Sequence, residues 1–339
     1  MKKTLLGLAL LAPLTAHVHA QSSVTIAGTV DGGVRYQTNA DSAGNSKISS
    51  GSNGYYSSNK LDFIGKEDLG DGNHVSFILE SGFNLGTGQL DNTTNMLFNR
   101  QAFIQIDGAA GALSAGRQYT ISHDFILVFD PFGFHYTPLI PLTRASDGTR
   151  YNNDLKYVKS FGRVKLEVEN SFGEVPGHIN QGSARSVGLM FDAGALTFGA
   201  EVSRRNIPVG TVYHDDNYYL VGAAYVAGPL KISGGVMTDE IVNLAPLGNT
   251  RTRDSFAGAS YHLSSVWTLT GGYYQTDARS DKAQRRGLTI VGLDYALSRR
   301  TKLYLEADYT RFRQAAVSTL NTTGAPNQRA FTLGLNHRF

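Results

Sequence analysis

The feature that most constrains this chain is an alternation of apolar and polar residues that recurs along most of its length. In residues 23–36 the apolar side chains occupy one parity and the polar ones the other, as in Val24 and Ile26 against Thr25. A repeat of two residues is typical of a strand with one apolar and one polar face. The same parity returns near residues 164–169, 196–203, 267–273, 303–309 and 331–339.

The connections between these segments alternate in length. Short turns rich in Gly, Asp or Asn lie near residues 69–73, 107–111, 161–162, 192–194, 227–229, 263–265 and 297–300. Longer polar loops are expected near residues 38–58, 84–96, 174–183, 206–216, 240–253, 278–284 and 314–327. Counting both kinds gives about sixteen strands, an even number with one short and one long link per pair. We therefore predict an all-β fold, a 16-stranded antiparallel transmembrane β-barrel.

Two soluble architectures compete with a barrel, and the sequence favours neither. A propeller would show a repeat of about 40–50 residues, which the chain lacks. A sandwich gives no reason for alternating loop lengths. A membrane barrel also accounts for a mean hydropathy of −0.21, because half of each strand faces water. Closure leaves no unpaired backbone group in hydrocarbon.

The first twenty residues have the pattern of an export signal. Lys2 and Lys3 precede an apolar run, and small residues end it at Ala20. The expected domains are a cleaved signal peptide at residues 1–20 and a barrel at residues 21–339. Without Lys2 and Lys3 the chain has 29 basic and 28 acidic residues, which removes the electrostatic basis for binding nucleic acid. No cysteine is present, which excludes disulfides and thiol chemistry.

One stretch, about residues 119–150, departs from the alternation. It contains Pro131, Pro138 and Pro141, which exclude a central strand or a long helix. It is also rich in Phe and Ile, so a solvated disordered loop is a poor description. Long connections of this kind in compact proteins are usually functional or disordered. We expect this segment to fold into the barrel and narrow its hole.

Several motifs resemble those of Gram-negative general porins. The opening residues 22–33 resemble the first strand of that family, and residues 59–70, 98–103, 116–119 and 292–304 resemble later ones. The ending Gly334-Leu-Asn-His-Arg-Phe339 is similar to the closing strand, whose terminal Phe is read by the outer-membrane assembly machinery. The combination looks most like the β-proteobacterial branch of the trimeric porins.

This resemblance implies how the barrel would work. It implies a homotrimer in the outer membrane, where each barrel is a water-filled channel for small hydrophilic solutes and ions and the third long loop forms a constriction. By motif, the basic wall would carry Lys60 and Arg100, with Arg117, Arg144 and Arg150 as further candidates. The loop would carry Asp124 and Asp130, although Asp130-Pro-Phe-Gly exchanges the acid and proline of the family's loop tip.

The charges allow a prediction of ion preference. Arginine ladders favour anions and carboxylates favour cations. Because the loop is largely apolar, we expect weak anion selectivity. Two conflicts stay open: Arg100 and Arg117 could simply pair with inward acids such as Glu80, and strict alternation would point Arg117 at lipid unless a bulge intervenes.

The sequence also allows alternatives to a general channel. The aromatic residues of the segment also fit a substrate-specific channel, and a barrel-type adhesin is a further alternative. His74 and Ser76 resemble the His-x-Ser of outer-membrane phospholipase, but no third partner or other catalytic motif follows, so we expect no enzyme. No cofactor, metal site or nucleic-acid partner is expected. Expected partners are outer-membrane lipid and lipopolysaccharide, the assembly machinery and the diffusing solutes.

Overall fold

The structure, a computed structural model, describes residues 23–339 except 52, 93, 141–148, 245–246, 280–282, 314–317 and 319. The predicted signal peptide and Arg144 lie outside the described residues. The described chain contains seventeen strands and one helix: β1 Ser23–Gln37, β2 Lys47–Ser50, β3 Lys60–Gly70, β4 Asn73–Gly82, β5 Gln101–Gly108, β6 Gly111–Tyr119, α1 Ile121–Phe129, β7 Arg150–Phe161, β8 Val164–Ser171, β9 Ala184–Asp192, β10 Leu196–Val209, β11 Val212–Ala227, β12 Leu230–Leu244, β13 Gly248–His262, β14 Trp267–Arg279, β15 Ala283–Ala296, β16 Thr301–Arg313 and β17 Asn327–Arg338.

Sixteen of the described strands form a closed antiparallel ring, which confirms the predicted barrel. β3 through β17 pair in chain order, and β1 pairs with both β3 and β17. At this seam the register runs from Thr29 opposite Arg338 to Gln37 opposite Ala330. β2 is not part of the ring, because it is a short arm in the first long connection that pairs with the end of β1.

The outer surface of the barrel is apolar, unlike the surface of a soluble protein. Large apolar residues point outward and are exposed, for example Val24 at 68% and Phe331 at 63%. Carboxylates point inward and are buried, for example Glu167 at 0%. An apolar exterior around a polar interior is what a strand barrel in hydrocarbon requires. No helix in the described part of the chain has the length and apolarity to cross a bilayer.

Three of the expected long loops are mostly strand, which corrects the sequence-based boundaries. Residues 206–216 fall largely in β10 and β11, which are joined at residues 210–211, and β12 to β15 likewise extend into the expected loops at 240–253 and 278–284. The polar composition there suggested loops. Ion pairs between Arg204 and Asp215, and between Arg205 and Asp216, stabilise the extended hairpin instead. Charged side chains are compatible with strands that continue into water.

The main apolar core lies inside the barrel. It contains buried side chains from α1 and the residues after it, together with inward side chains of the wall, including Phe125, Phe129, Tyr218 and Tyr274. Glycines of the wall give this core its space. A Cβ placed on Gly199 would lie 2.7 Å from Phe129 Cζ, and one on Gly188 would lie 2.8 Å from Phe125 Cζ. The segment and the wall therefore pack at close range.

Candidate functional site

The inward segment begins with a short helix that the sequence did not predict. Thr120 is its N-cap, and its hydroxyl accepts a hydrogen bond from the His123 N–H at 3.2 Å. Ile121, Phe125 and Phe129 recur at a spacing of four and form one buried face. The side-chain carboxyl group of Glu169 accepts a hydrogen bond from the Ile121 N–H at 3.3 Å, which satisfies one of the free N–H groups of the first helical turn. The helix ends at Phe129, just before Pro131.

The rest of the segment continues along the same side of the barrel. Phe132 lies near Gly272 and Gly292, and the Tyr136 N–H donates to the Tyr56 carbonyl at 2.9 Å. The helix α1 contacts β8 to β12, and residues 131–136 approach β13 to β16, so residues 121–140 together line the inner faces of β8 to β16. We call these faces the covered wall. The inner faces of β17, β1 and β3 to β6, together with Arg150, are called the open wall.

A cavity of about 580 Å³ separates the segment from the open wall. Four cationic residues line it, against one acidic residue, Asp62; these cations are Lys60, Arg100, Arg150 and Arg338. The segment contributes mostly uncharged side chains to this cavity, among them Leu127 and Phe134. The structure thus brings three predicted site residues, Lys60, Arg100 and Arg150, to one face of one cavity, and adds Arg338.

Glu80 organises two of these cations. Its carboxylate is buried and lies 2.6 Å from Lys60 Nζ and 2.6 Å from Arg100 Nε. Lys60 Nζ also lies 3.1 Å from Asp62. The alternative that Arg100 pairs with Glu80 is therefore observed. Even so, Lys60, Arg100 and Arg150 carry three positive charges against two carboxylates in this group, so pairing does not neutralise it.

Arg150 is held by an aromatic ring. Its guanidinium carbon lies 4.4 Å from the centre of the Tyr119 ring, and its Nη2 donates to the Tyr119 hydroxyl at 2.8 Å. Arg100 donates to the same hydroxyl at 2.9 Å. His123 stacks on Tyr119 with ring centres 3.8 Å apart. One tyrosine thus fixes the positions of two pore-facing guanidinium groups.

Arg117 lies away from this cavity. Its Nε donates to the Asn99 carbonyl at 2.6 Å, and its Nη1 donates to Asn152. The register between β6 and β7 shifts beside it, between Gly116 and Gln118, so the bulge considered from the sequence is present. The bulge does not turn Arg117 inward, since Arg117 pairs with Ala102 on the side opposite to buried Ser114 and Gln118.

The two predicted loop acids do not face the cavity as a pair of free carboxylates. Asp124 lies 2.8 Å from Lys156 Nζ and 3.3 Å from His123 Nδ1. Burial raises its pKa, but these two partners outweigh it and hold the pKa below its usual range. Asp130 is fully buried against the covered wall, where it accepts from Tyr274 and from the Phe134 N–H at 2.7 Å. Burial raises the pKa of Asp130 to about 6.

Two histidines of the segment also line the cavity, and nothing in the sequence singled them out. Burial lowers the pKa of His123, and burial with the nearby charges of Lys302 and Arg338 lowers the pKa of His135 to about 3. His135 stacks on Tyr56 at 4.1 Å. Both imidazoles are therefore neutral near pH 7. They add aromatic surface to the cavity and no charge.

Of the remaining sequence candidates, Phe339 lies at the seam and borders the cavity; its N–H and carbonyl exchange hydrogen bonds of 3.2 Å with Gly28. His74, considered for catalysis, lies 3.4 Å from Asp107 near a short turn, and Ser76 is opposite Gln105. The sequence did not identify Arg338 and His135, because the residues that line the cavity are known only once the folded segment is placed against the open wall.

Comparison with known proteins gives a consistent result. A sequence profile described as Gram-negative porin matches residues 7–315. Outer membrane porin protein 32 of Delftia acidovorans is 28% identical over 364 aligned positions, covering 100% of both chains. Other similar proteins come from Bordetella pertussis and Neisseria lactamica.

Solved structures share the fold. An anion-selective porin from Comamonas acidovorans superposes with a TM-score of 0.82 at 24% identity, covering 94% of this chain and 100% of the other. A trimer form of OmpT from Vibrio cholerae gives a TM-score of 0.70 at 15% identity, covering 94% and 99%.

Proposed function

The chain belongs to the Gram-negative porin family, and from that premise we propose that its cavity passes small hydrophilic solutes with a weak preference for anions. As a porin it is an outer-membrane β-barrel that forms a water-filled channel. The proposal concerns which charges the channel favours, and which residues set that preference.

The charge distribution around the cavity carries this proposal. Lys60, Arg100, Arg150 and Arg338 line it against Asp62. Asp130 is buried away from the cavity, and Asp124 is paired with Lys156. The similar structure from Comamonas acidovorans is described as an anion-selective porin, which supports the same preference for this chain.

The physical mechanism is electrostatic. A narrow passage with low-dielectric walls focuses the field of its fixed charges, so an anion entering the cavity is stabilised and a cation is repelled. Arginine keeps its charge throughout the physiological pH range. Since Glu80 and Asp62 offset part of the positive charge, the preference is weak, and solutes leave as readily as they enter.

The test is the reversal potential of single channels in a planar bilayer under a potassium chloride gradient. We expect a weak anion preference in the unmodified protein and a shift towards cations in Arg100→Ala. The triple variant Lys60→Gln, Arg100→Gln and Arg150→Gln should become cation-selective. Arg163→Gln, an exposed turn residue, is the matched control and should behave as the unmodified protein. A cation preference before mutation, or no shift in the triple variant, would refute the proposal.

A substrate-specific channel is a second candidate, favoured by the aromatic pairs Tyr119–His123 and Tyr56–His135 near the basic residues. Such pairs would suit an aromatic carboxylate better than an aliphatic one. Benzoate and acetate at equal concentrations should then reduce the chloride current differently. Equal effects would leave the general channel as the better description. An adhesin would conduct no current in the same assay, and lack of enzymatic activity stays a prediction.

Assembly and processing complete the proposal. We propose a homotrimer in contact with outer-membrane lipid and lipopolysaccharide, consistent with the trimer form of the similar Vibrio structure. Terminal Phe339 would be read by the assembly machinery, residues 1–20 would be removed as a signal peptide, and residues 119–150 would act as the constriction. Light scattering of the detergent-solubilised protein tests the homotrimer, and a monomer would contradict it. N-terminal sequencing tests removal of the signal peptide, and an uncut N-terminus would contradict it.

A further inference from the structure

A cleft on the outer surface of the barrel contains an unusual concentration of arginine. Arg251 and Arg253 of β13, Arg279 of β14 and Arg285 of β15 line it, together with Asp277, Gln275 and Ser255, in a volume of about 360 Å³. These positions have the outward parity of exposed Tyr273. They lie at the loop end of their strands, the end that faces the cell exterior in barrels with short periplasmic turns.

The arginines lie close to one another because of the strand register. Arg251 is directly opposite Arg279, and Arg285 is directly opposite Arg313 of β16. Like charges at directly opposite positions destabilise a sheet unless a counter-charge is present. Asp277 pairs with Arg285, and Glu240 lies opposite Arg251. Within the described lining, four arginines face one aspartate, so three positive charges have no acidic residue of the cleft to balance them.

An apolar groove continues from this cleft towards the middle of the wall. It has a volume of about 1000 Å³. Its floor consists of small outward residues on three adjacent strands, Ala223, Gly234 and Ala257, which are opposite one another in register. Its sides include larger residues, among them Phe198, Tyr225 and Ile232. Ser255 lines both the groove and the arginine cleft, so the two are continuous.

We propose that the cleft and groove together bind one phosphorylated lipid of the outer leaflet. The phosphate would accept hydrogen bonds from the arginines, whose planar forks match phosphate oxygens. One acyl chain would lie in the groove, where small residues leave room against the wall. The amphiphilic shape, charged at the outer end and apolar below, fits a lipid better than a soluble anion. The proposal names a site for the lipid contact described above and does not depend on the channel's ion preference.

Native mass spectrometry of the detergent-purified trimer tests this site. The probes are a bisphosphorylated lipid A and the same lipid after its phosphates have been removed. We expect the unmodified protein to retain the phosphorylated lipid. The variant Arg251→Gln, Arg253→Gln, Arg279→Gln and Arg285→Gln should bind it at least about tenfold more weakly. The matched control removes four exposed cations elsewhere, through Lys47→Gln, Arg163→Gln, Arg185→Gln and Arg300→Gln, and should retain it.

A second variant tests the groove separately. Ala223→Phe would fill the floor while leaving the arginines in place, and should weaken binding of the phosphorylated lipid. If the fourfold variant fails to fold, Arg279→Gln alone is tested, and its affinity for the phosphorylated lipid should fall several-fold.

Equal binding of the dephosphorylated lipid, or unchanged binding of lipid A by the arginine variants, would overturn the proposal. Competition by inorganic phosphate at a concentration equal to that of the lipid would also overturn it. Dissociation of the oligomer in the arginine variants would overturn it as well, because it would make this surface a subunit contact. The channel's conductance is expected to be unchanged throughout, so failure here is distinguishable from failure of the proposed function.

Discussion

The covered wall and the open wall have the same strand architecture but opposite roles. On the covered wall, glycines such as Gly199 lie under the rings of α1 and the interior is packed as in a soluble core. On the open wall, Lys60 and Arg100 face a water-accessible cavity and share the buried carboxylate of Glu80. The difference teaches that a strand barrel sets only which residues point inward. Whether an inward face becomes core or channel depends on the size of its side chains and on where the inserted segment packs.

The largest expected effect is on the stability of the covered wall. Phe129 is fully buried against glycines, so Phe129→Ala should lower the free energy of unfolding by about 3–5 kcal/mol. The measurement is the temperature at which the folded band disappears in semi-native electrophoresis, calibrated by urea unfolding. Leu127→Ala on the exposed face of the same helix is the control and should cost far less. Equal losses of unfolding free energy in the two variants would show that the buried and exposed faces of the helix contribute equally to stability, contrary to this prediction.

The next effect is pH-dependent. Because the folded-state pKa of Asp130 is about 6, above its ordinary 3.8, its charged form destabilises the folded protein above that pH. This cost is relieved as pH falls through about 6 towards 4. Asp130→Asn should remove this contribution, on the order of 2 kcal/mol, from the difference in unfolding free energy between pH 7.5 and pH 4.5.

Asp124→Asn serves as the comparison for that experiment. The pKa of Asp124 is held low, so its charged form stabilises the protein above its ordinary pKa and that contribution is lost as pH falls. Because that loss occurs below about pH 4, Asp124→Asn should leave the difference between pH 7.5 and pH 4.5 nearly unchanged, whereas Asp130→Asn reduces it. If Asp124→Asn changes this difference as much as Asp130→Asn does, the assignment of Asp130 as the buried carboxyl with a raised pKa is wrong.

A smaller effect is expected on ion selectivity, where removal of a carboxylate from the open wall is compared with removal from the covered wall. Glu80→Gln frees Lys60 and Arg100 from their shared carboxylate and should raise the anion-to-cation permeability ratio by about twofold. Glu169→Gln removes a buried carboxylate behind α1 and should leave the ratio unchanged. Both are measured by reversal potential. A shift in Glu169→Gln as large as in Glu80→Gln would mean that the segment does not separate the covered wall from the solution.

The smallest effect is expected at Arg117. Because its guanidinium donates to Asn99 and Asn152 outside the cavity, Arg117→Gln should leave the reversal potential within experimental error. Arg150→Gln, on the adjacent strand opposite Tyr119, is the positive control and should shift the reversal potential towards cations. A shift in Arg117→Gln would restore Arg117 to the pore and contradict its outward register.

The sequence was sufficient for the architecture, because the two-residue repeat is a direct record of the strand environment. It predicted the ring, its antiparallel order and the third long connection as the stretch that departs from the apolar–polar alternation. It placed three hairpins as loops, because polar residues on both faces remove the alternation where strands extend into water. It also missed α1, whose nine residues are too few for a helical period to stand out beside the prolines.

Within the site, the sequence identified cations better than acids. Lys60, Arg100 and Arg150 are carried by strands or strand ends, so parity and motif were informative. The direction of Asp130 depends on Tyr274, which lies far away in the chain, and no local pattern records that contact. The same holds for His135, which reaches the cavity only because the segment packs against Tyr56.

The close fit between Phe129 and Gly199 has a consequence for how such a protein diversifies. A larger side chain at one of these glycines would need a smaller ring on α1, so a single substitution there destabilises the fold. Leu127 and Phe134, on the opposite side of the segment, line the cavity and are not packed in this way against glycines of the described wall. Natural variation at those two positions could therefore resize the aperture for new nutrients while leaving the architecture intact.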